Sequence, residues 1–431
     1  MNEETPRQEG PRPPGPGRSF SGRTNALARS PALLRQRGDA RALAVMTAGH
    51  AVQHFYVAGL AVVYPFVVAS FHLSYALLGA VLTGAGLAGG LLQGAAGFLG
   101  RTRARVVLSA QNAGMAVSAL LGAAAPAFGL FAWARVLGAV VSWPQHPVGS
   151  AYLSERFPER RATVLSWHTA GGSLGTVSIP LVVSAVIATA GWRWALVALA
   201  AALGAGALLV GVGLPSECPR PTAAGDKKEA VSLRQLLSRR PVVAVLAAST
   251  IAAGGRGLGT LSTYIPADLR TGLHLSVITV GVLFTVIMAA SVAGPLVGGS
   301  LADRFGRRRA LIMTYVAGAA ALVAFGYAGH NTALLAGLGV AVGLLAYTES
   351  PLLQAVFSDL TDRGTARAAF GAFFAIAYGV GSLWTAVVGW VIDAAGFPAA
   401  FAVMAGSFVV AAMVIAAGTP SGTLEKRGPG S

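Results

Sequence analysis

The segment Gly298–Arg309, GGSLADRFGRRR, determines how the rest of the chain is interpreted. Long apolar runs precede and follow it, so its charges must lie at a water-facing joint between two apolar helices. Gly298 and Gly299 lack side chains, which would let a neighbouring helix approach closely. We expect Asp303 to pair with an arginine or with the positive end of a helix. By the positive-inside rule, four arginines hold this joint in the cytoplasm: Arg304, Arg307, Arg308 and Arg309.

The composition indicates that a bilayer surrounds most of the chain. Of its 431 residues, 54% are hydrophobic and 11% are charged, whereas soluble domains carry about 25% charged residues. The single cysteine, Cys218, excludes an intrachain disulfide. Residues 1–40 are rich in Pro, Gly, Ser and Arg, and we predict that they form a disordered cytoplasmic tail.

Apolar runs of about 20 residues, the length that crosses a bilayer, predict twelve membrane spans. They are 42–69, 75–98, 105–124, 128–152, 163–189, 194–213, 242–265, 276–300, 310–328, 332–357, 367–392 and 397–417. We therefore predict an all-α integral membrane protein with twelve transmembrane helices in two pseudo-symmetric six-helix bundles. The predicted domains are bundles at 41–213 and 242–417, a cytoplasmic linker at 214–241 and a cytoplasmic tail at 418–431.

The basic residues predict the orientation of these spans. With both termini in the cytoplasm, 28 of the 32 Lys and Arg residues fall in the tails and inner joints, and only Arg193 and Arg270 in outer joints. We predict a multi-pass protein of the cell inner (plasma) membrane. The net charge of +16 is spread over many joints rather than one face, which argues against nucleic-acid binding.

An internal repeat supports the division into two halves. The aligned segments are HLS at 72–74 with HLS at 274–276, and WPQHP at 143–147 with YTESP at 347–351. At the offset of the first pair, His54 aligns with Arg256. The halves are therefore expected to be copies of one six-helix unit.

Charges inside the spans are the main functional candidates, because each costs about 2.5–3.5 kcal/mol on insertion scales. Arg256 lies between glycines in span 7, and its guanidinium would suit a carboxylate, phosphate or phosphonate. Glu349, in span 10, is the only carboxylate that we place deep in a span, and we expect reversible protonation there. A structural ion pair of Glu349 with Arg256 or with Arg135 of span 4 is the alternative.

Three polar residues of span 1, His50, Gln53 and His54, share one helix face by their spacing. We expect a cavity-lining, proton-sensitive histidine pair, with a packed hydrogen-bonded pair as the alternative. Such a pair could bind a metal, but no third ligand is evident, so we predict none. Further candidates are Gln145, His146, His168 and Tyr264. No phosphate-binding GxxxxGK[ST] loop occurs, so we do not expect an ATP-driven pump. We also expect no enzyme, because the joints are too short for a catalytic domain, and we expect no cofactor.

The joint from Gly299 to Arg309 resembles motif A of major facilitator superfamily transporters, in the copy between helices eight and nine. The resemblance implies a gating role for six residues: Gly299, Asp303, Arg304, Gly306, Arg307 and Arg308. Arg101 stands where the first half would carry the equivalent of Asp303. The segment from Arg135 to Gly138 is similar to motif B, and spans 1, 4 and 5 weakly resemble the fosmidomycin-resistance-type branch. Span 5 lacks the Gly-Pro pair of drug–proton antiporters.

In this superfamily, helices one, four, seven and ten line the central cavity, and seven of the candidates lie on them: His50, His54, Arg135, Gln145, His146, Arg256 and Glu349. The resemblance implies secondary transport by alternating access, and the arginines favour a small polar, anionic solute. The expected substrate-binding residues are Arg256, His54, Arg135, His50, Gln53, Gln145, His146 and Tyr264. The expected proton-coupling residues are Glu349, His50, His54 and His168.

We expect H⁺ as the coupling ion, the lipid bilayer as the surroundings and a monomer. The alternative is a multidrug/proton efflux antiporter, which would need acidic residues in the first-half cavity, where we find none. A non-transporting sensor or enzyme is a third possibility, although the joints are too short to hold a catalytic domain.

Overall fold

The computed structural model describes residues 31–95, 103–215, 237–361 and 366–419, and these ranges are helical with no strand. We number the spans 1 to 12 in chain order. The first half comprises span 1 (Pro31–Phe71), span 2 (Tyr75–Ala95), span 3 (Ala104–Ala124), span 4 (Phe128–Ser142 and Gln145–Arg156), span 5 (Arg161–Ala190) and span 6 (Trp192–Gly213).

The second half begins with span 7, which is built from four short pieces: Arg240–Ala252, Gly257–Leu261, Ser262–Ala267 and Asp268–Gly272. It continues with span 8 (Val277–Phe305), span 9 (Arg307–Gly326) and span 10 (Thr332–Ala346 and Glu349–Asp359). Span 11 runs from Ala366–Phe374 through Ala375–Gly379 and Val380–Ser382 into the helix Leu383–Gly418. A bend at Gly396, where φ is 82°, separates span 11 from span 12.

The all-α membrane architecture is confirmed. Within the described ranges, ten helical segments are long and apolar enough to cross a membrane. The number is lower than twelve for two physical reasons. Span 4 is interrupted before Gln145 and is too polar beyond it to be counted, and the 50-residue segment Ala369–Gly418 contains both spans 11 and 12.

Two boundaries differ most from the sequence prediction. The first helix begins at Pro31, so residues 31–40 are helical rather than part of a disordered tail. Span 7 continues past residue 265 to Gly272, which places Asp268 inside it, 4% exposed. Glu349 is therefore not the only buried carboxylate in a span. The rest of the predicted tails, Arg101 and most of the linker lie outside the described residues.

The internal repeat is visible in the backbone. His72 and His274 are the only non-glycine residues with positive φ in the described part of the chain, at 52° and 51°. His72 lies in the connection between spans 1 and 2, and His274 lies in the corresponding connection between spans 7 and 8. Spans 4 and 10 are also broken at aligned positions, just before Gln145 and Glu349.

The two halves contact each other closely along spans 2 and 11, which pack through glycines. A Cβ at Gly79 would lie 2.3 Å from the carbonyl oxygen of Thr385, and one at Gly389 would lie 2.2 Å from that of Tyr75. Only residues without side chains allow such an approach. At the end opposite the arginine-rich joints, the Asp393 carboxylate accepts hydrogen bonds from the backbone N–H groups of Tyr75 and Ala76, at 2.9 and 2.8 Å.

Candidate functional site

A buried ion pair joins spans 7 and 10. Nε of Arg256 donates to Oε1 of Glu349 at 2.5 Å, and the two side chains are 5% and 0% exposed. Both residues lie at helix breaks. Arg256 has an extended backbone between the pieces that end at Ala252 and begin at Gly257, and Glu349 begins the second piece of span 10. The sequence left open which arginine pairs with Glu349, and the structure pairs it with Arg256.

The remaining donors of Arg256 are largely used within the protein. Nη1 donates to the carbonyl oxygen of Ala377, and Nη2 donates to the carbonyl and hydroxyl oxygens of Ser249. The guanidinium carbon lies 4.9 Å from the centre of the Tyr378 ring. Four of its five N–H groups are therefore engaged, and in this conformation Arg256 offers little to a solute.

Glu349 has a further polar neighbour, the buried Tyr315 hydroxyl, which lies beside its carboxylate. Protonation of the carboxylate would weaken the attraction that holds Arg256.

Arg135 of span 4 is in the opposite situation. Its Nε donates to the Tyr64 hydroxyl at 2.7 Å, and its guanidinium carbon lies 5.8 Å from the centre of the Tyr56 ring. No ion pair in the described ranges includes it, and its buried Nη1 has no hydrogen-bond partner there. The described part of the first half thus holds a half-buried positive charge with no carboxylate in an ion pair with it.

Four histidines form a cluster in the first half, which we call the histidine cluster: His50, His54, His146 and His168. The His50 ring centre lies 4.7 Å from that of His54, 5.2 Å from that of His146 and 4.2 Å from that of His168, on which it stacks. Spans 1, 4 and 5 therefore contribute to one site. His50 is buried, His54 half-buried and His146 exposed.

Span 5 makes room for this cluster with a glycine. A Cβ at Gly172 would lie 2.7 Å from Cε1 of His50 and 3.0 Å from Nε2 of His54. The prediction of no metal rested on the lack of a third ligand beside His50 and His54, and the structure corrects that premise. The ligand atoms of His50, His54 and His146 all lie within 4.8 Å of one another, so His146 is a third candidate ligand.

The other predicted site residues are placed less centrally. Gln145 is buried and its Oε1 accepts from Nε2 of Gln111 at 2.9 Å, while Gln53 is buried with its Oε1 unpaired in the described structure. Tyr264 lies away from the cluster, where its hydroxyl donates to the carbonyl oxygen of Thr385 and joins spans 7 and 11 within the second half. Gln111 was not among the predicted site residues, although a glutamine inside an apolar span was a visible signal.

The joint from Gly298 to Arg309 has the expected close packing on one side. A Cβ at Gly298 would lie 2.2 Å from Cγ2 of Thr348, whereas Gly299 faces open space. Gly306, with φ of 81°, makes the turn from span 8 to span 9. Arg307 pairs with Asp359 of span 10, and Arg308 donates to the carbonyl oxygen of Ala416. Asp303 is exposed, and no ion pair in the described ranges includes it.

Comparison with known proteins places this arrangement in context. The family model described as Major Facilitator Superfamily matches residues 46–267 and 248–429. No curated protein matches the chain.

Several solved structures share its fold. The nucleoside transporter NupG superposes with a TM-score of 0.71 at 14% identity, over 88% of this chain and 98% of that one. The D-xylose-proton symporter gives 0.69 at 17% identity, over 88% and 98%. A bacterial homologue of the human lysosomal transporter Spinster, in an inward-facing and unoccupied conformation, gives 0.64 at 16% identity, over 88% and 95%.

Proposed function

The chain belongs to the major facilitator superfamily of membrane transporters, and we propose that it carries a small polar, anionic solute by alternating access, coupled to protons. We further propose that it acts as a monomer in the cell inner membrane with both termini in the cytoplasm. The proposed orientation is supported by the distribution of charge, because the inner joints and the tails hold most of the basic residues.

The proposal that the solute is anionic rests on the contrast between the two intramembrane arginines. Arg256 is neutralised by Glu349, whereas no ion pair in the described ranges includes Arg135, which has a buried Nη1 without an acceptor. A guanidinium inside a span without a carboxylate beside it is costly, and an anion that binds there would offset that cost. Arg135 is therefore the primary anion contact in this proposal, with Tyr64 orienting its guanidinium.

Proton coupling rests on Glu349. When Glu349 is ionised it holds Arg256 between spans 7 and 10, and when it is protonated the pair weakens. The two broken spans could then move relative to each other, because the pair lies at the break of each. A proton would in this way change the balance between two conformations of the transporter.

The test uses purified protein in liposomes. Uptake is measured for panels of carboxylates, phosphates, phosphonates, nucleosides and sugars, and for a cationic dye. Arg135→Gln removes the charge at the proposed contact, and Arg309→Gln removes one from the exposed inner joint as a matched control. A charge-assisted hydrogen bond contributes about 1.5–3 kcal/mol, so we expect Arg135→Gln to weaken anion binding roughly ten- to a hundredfold.

Two results would contradict the proposal. One is transport of the anion by Arg135→Gln with an unchanged KM. The other is strong transport of the cationic dye with none of any anion, which would favour the multidrug/proton antiporter.

A further inference from the structure

The hydrogen bonds around His50 determine which of its ring nitrogens is free. Nδ1 of His50 lies 2.8 Å from the carbonyl oxygen of His168. A carbonyl oxygen can only accept, so this nitrogen carries the hydrogen. Nε2 of His50 is then an unprotonated lone pair in the neutral ring.

His54 has a similar arrangement on the next turn of span 1. Its Nδ1 lies 2.8 Å from Oγ1 of Thr176, and that hydroxyl donates to the carbonyl oxygen of Gly172 at 3.0 Å. While its hydrogen is donated to Gly172, the hydroxyl accepts from Nδ1 of His54, and in the alternative arrangement it donates to that nitrogen instead. Such bonds to the second ring nitrogen are the usual support of metal-binding histidines, because they fix the tautomer and the ring orientation.

The Nε2 atoms of His50 and His54 face each other, 3.1 Å apart. With the hydrogens on both Nδ1 atoms, two lone pairs meet there, and a cation between them, either a metal ion or a shared proton, removes their repulsion. In the other tautomer of His54, its Nε2–H donates to Nε2 of His50. Neighbouring nitrogens on tetrahedral zinc are separated by about 3.3 Å, because each Zn–N bond is about 2.0–2.1 Å long.

A third imidazole favours the metal. The ligand atoms of His50, His54 and His146 lie within 4.8 Å of one another. The exposed His146 ring would need to close by at most about 1.5 Å to complete a tetrahedral face. A shared proton requires only two rings and gives no reason for the third.

We propose that His50, His54 and His146 form a binding site for a divalent transition metal ion of the zinc class. Imidazole ligands suit Zn²⁺, Co²⁺, Ni²⁺ and Cu²⁺ rather than Mg²⁺ or Ca²⁺. Three protein ligands leave a fourth position open to water or an anion on the exposed side of His146. The site does not depend on the proposed solute, since Arg135 is not part of it.

The experiment uses protein from which any polyhistidine tag has been removed. Zn²⁺ binding is measured by calorimetry, and Co²⁺ binding by its visible absorption, which is intense only for tetrahedral coordination. The chain has seven histidines, and the three outside the cluster provide a matched control. That control is the triple variant His72→Asn, His274→Asn and His330→Asn, in which asparagine tolerates the positive φ of residues 72 and 274.

We expect one Zn²⁺ per chain in the wild type and in the triple control. His146→Asn should weaken binding by at least about tenfold, and Gly172→Ala should also weaken it, because the new Cβ would push against His50 and His54. His146 is exposed, so its variant should unfold at the wild-type temperature without metal. Added Zn²⁺ should then stabilise the wild type and the triple control more than His146→Asn.

Three outcomes would overturn the proposal. They are no Zn²⁺ or Co²⁺ binding by the wild type, equal binding by wild type and His146→Asn, and loss of binding in the triple control. The first of these would leave a proton as the occupant of the gap between the two Nε2 atoms.

Discussion

Arg256 and Glu349, 93 residues apart, form a buried ion pair where spans 7 and 10 are both broken. In the repeat, His54 and Gln145 occupy the aligned positions of the first half. Those two residues carry no fixed charge and bond to other partners, His54 to Thr176 and Gln145 to Gln111. The two halves therefore share the break of spans 4 and 10, whereas span 1 is continuous where span 7 is broken, and the chemistry at the aligned positions differs.

The first prediction concerns the strength of this pair. Glu349→Gln or Arg256→Gln leaves one buried charge or polar group without its partner, which costs about 3–5 kcal/mol. We expect each single variant to unfold at a lower temperature, and the double variant to lose less than the sum of the two. Thermal unfolding in detergent measures this. Additive losses would show that the pair is not an energetic unit.

The second prediction concerns coupling. We expect Glu349→Gln to abolish accumulation driven by a pH gradient in liposomes, while exchange of solute across the membrane continues, because exchange needs no net proton movement. Glu155→Gln, which removes an exposed carboxylate at the end of span 4, is the matched control and should retain accumulation. Full gradient-driven accumulation by Glu349→Gln would assign proton coupling to another group.

The third prediction concerns the packing of span 5 on span 1. A Cβ at Gly175 would lie 2.2 Å from the carbonyl oxygen of Ala51, a backbone atom that cannot move aside. We expect Gly175→Ala to destabilise the protein by about 1–3 kcal/mol. Gly204 in span 6 has nothing within 4 Å of the same position, and Gly204→Ala should be neutral or stabilise by up to about 1 kcal/mol. Equal unfolding temperatures for both variants would be inconsistent with this packing.

The fourth prediction concerns the contact between halves at Asp393. Its carboxylate accepts from two backbone N–H groups at the start of span 2, and such capping contributes about 1 kcal/mol. Asp393→Ala should shift the balance toward separation of this end about fivefold. Spin labels at cysteines replacing Ala127 and His330, in a Cys218→Ser background, report the distance between the halves.

Asp359→Ala serves as the control for that measurement, because Asp359 bonds within its own half. Its distance distribution should match that of the parent. An unchanged distribution in Asp393→Ala would mean that the glycine contacts of spans 2 and 11 alone hold this end together.

The sequence was sufficient for the architecture because membrane insertion depends on local composition. A run of about 20 apolar residues can be recognised as a membrane span without knowledge of the rest of the fold. The repeat at 72–74 and 274–276 likewise predicted the common backbone conformation that His72 and His274 adopt. The same dependence on local composition explains why the end of span 7 was predicted too early. This span extends to Gly272 through residues that resemble a polar joint, including Asp268.

The sequence by itself determined the membrane-spanning class, the two-half division and which polar residues lie inside the spans, since each follows from residues close together in the chain. Only the tertiary structure decided that Glu349 pairs with Arg256 rather than Arg135, and that His146 joins His50 and His54. These contacts join residues about a hundred positions apart, and their partners depend on how helices rotate and pack, which no local pattern specifies.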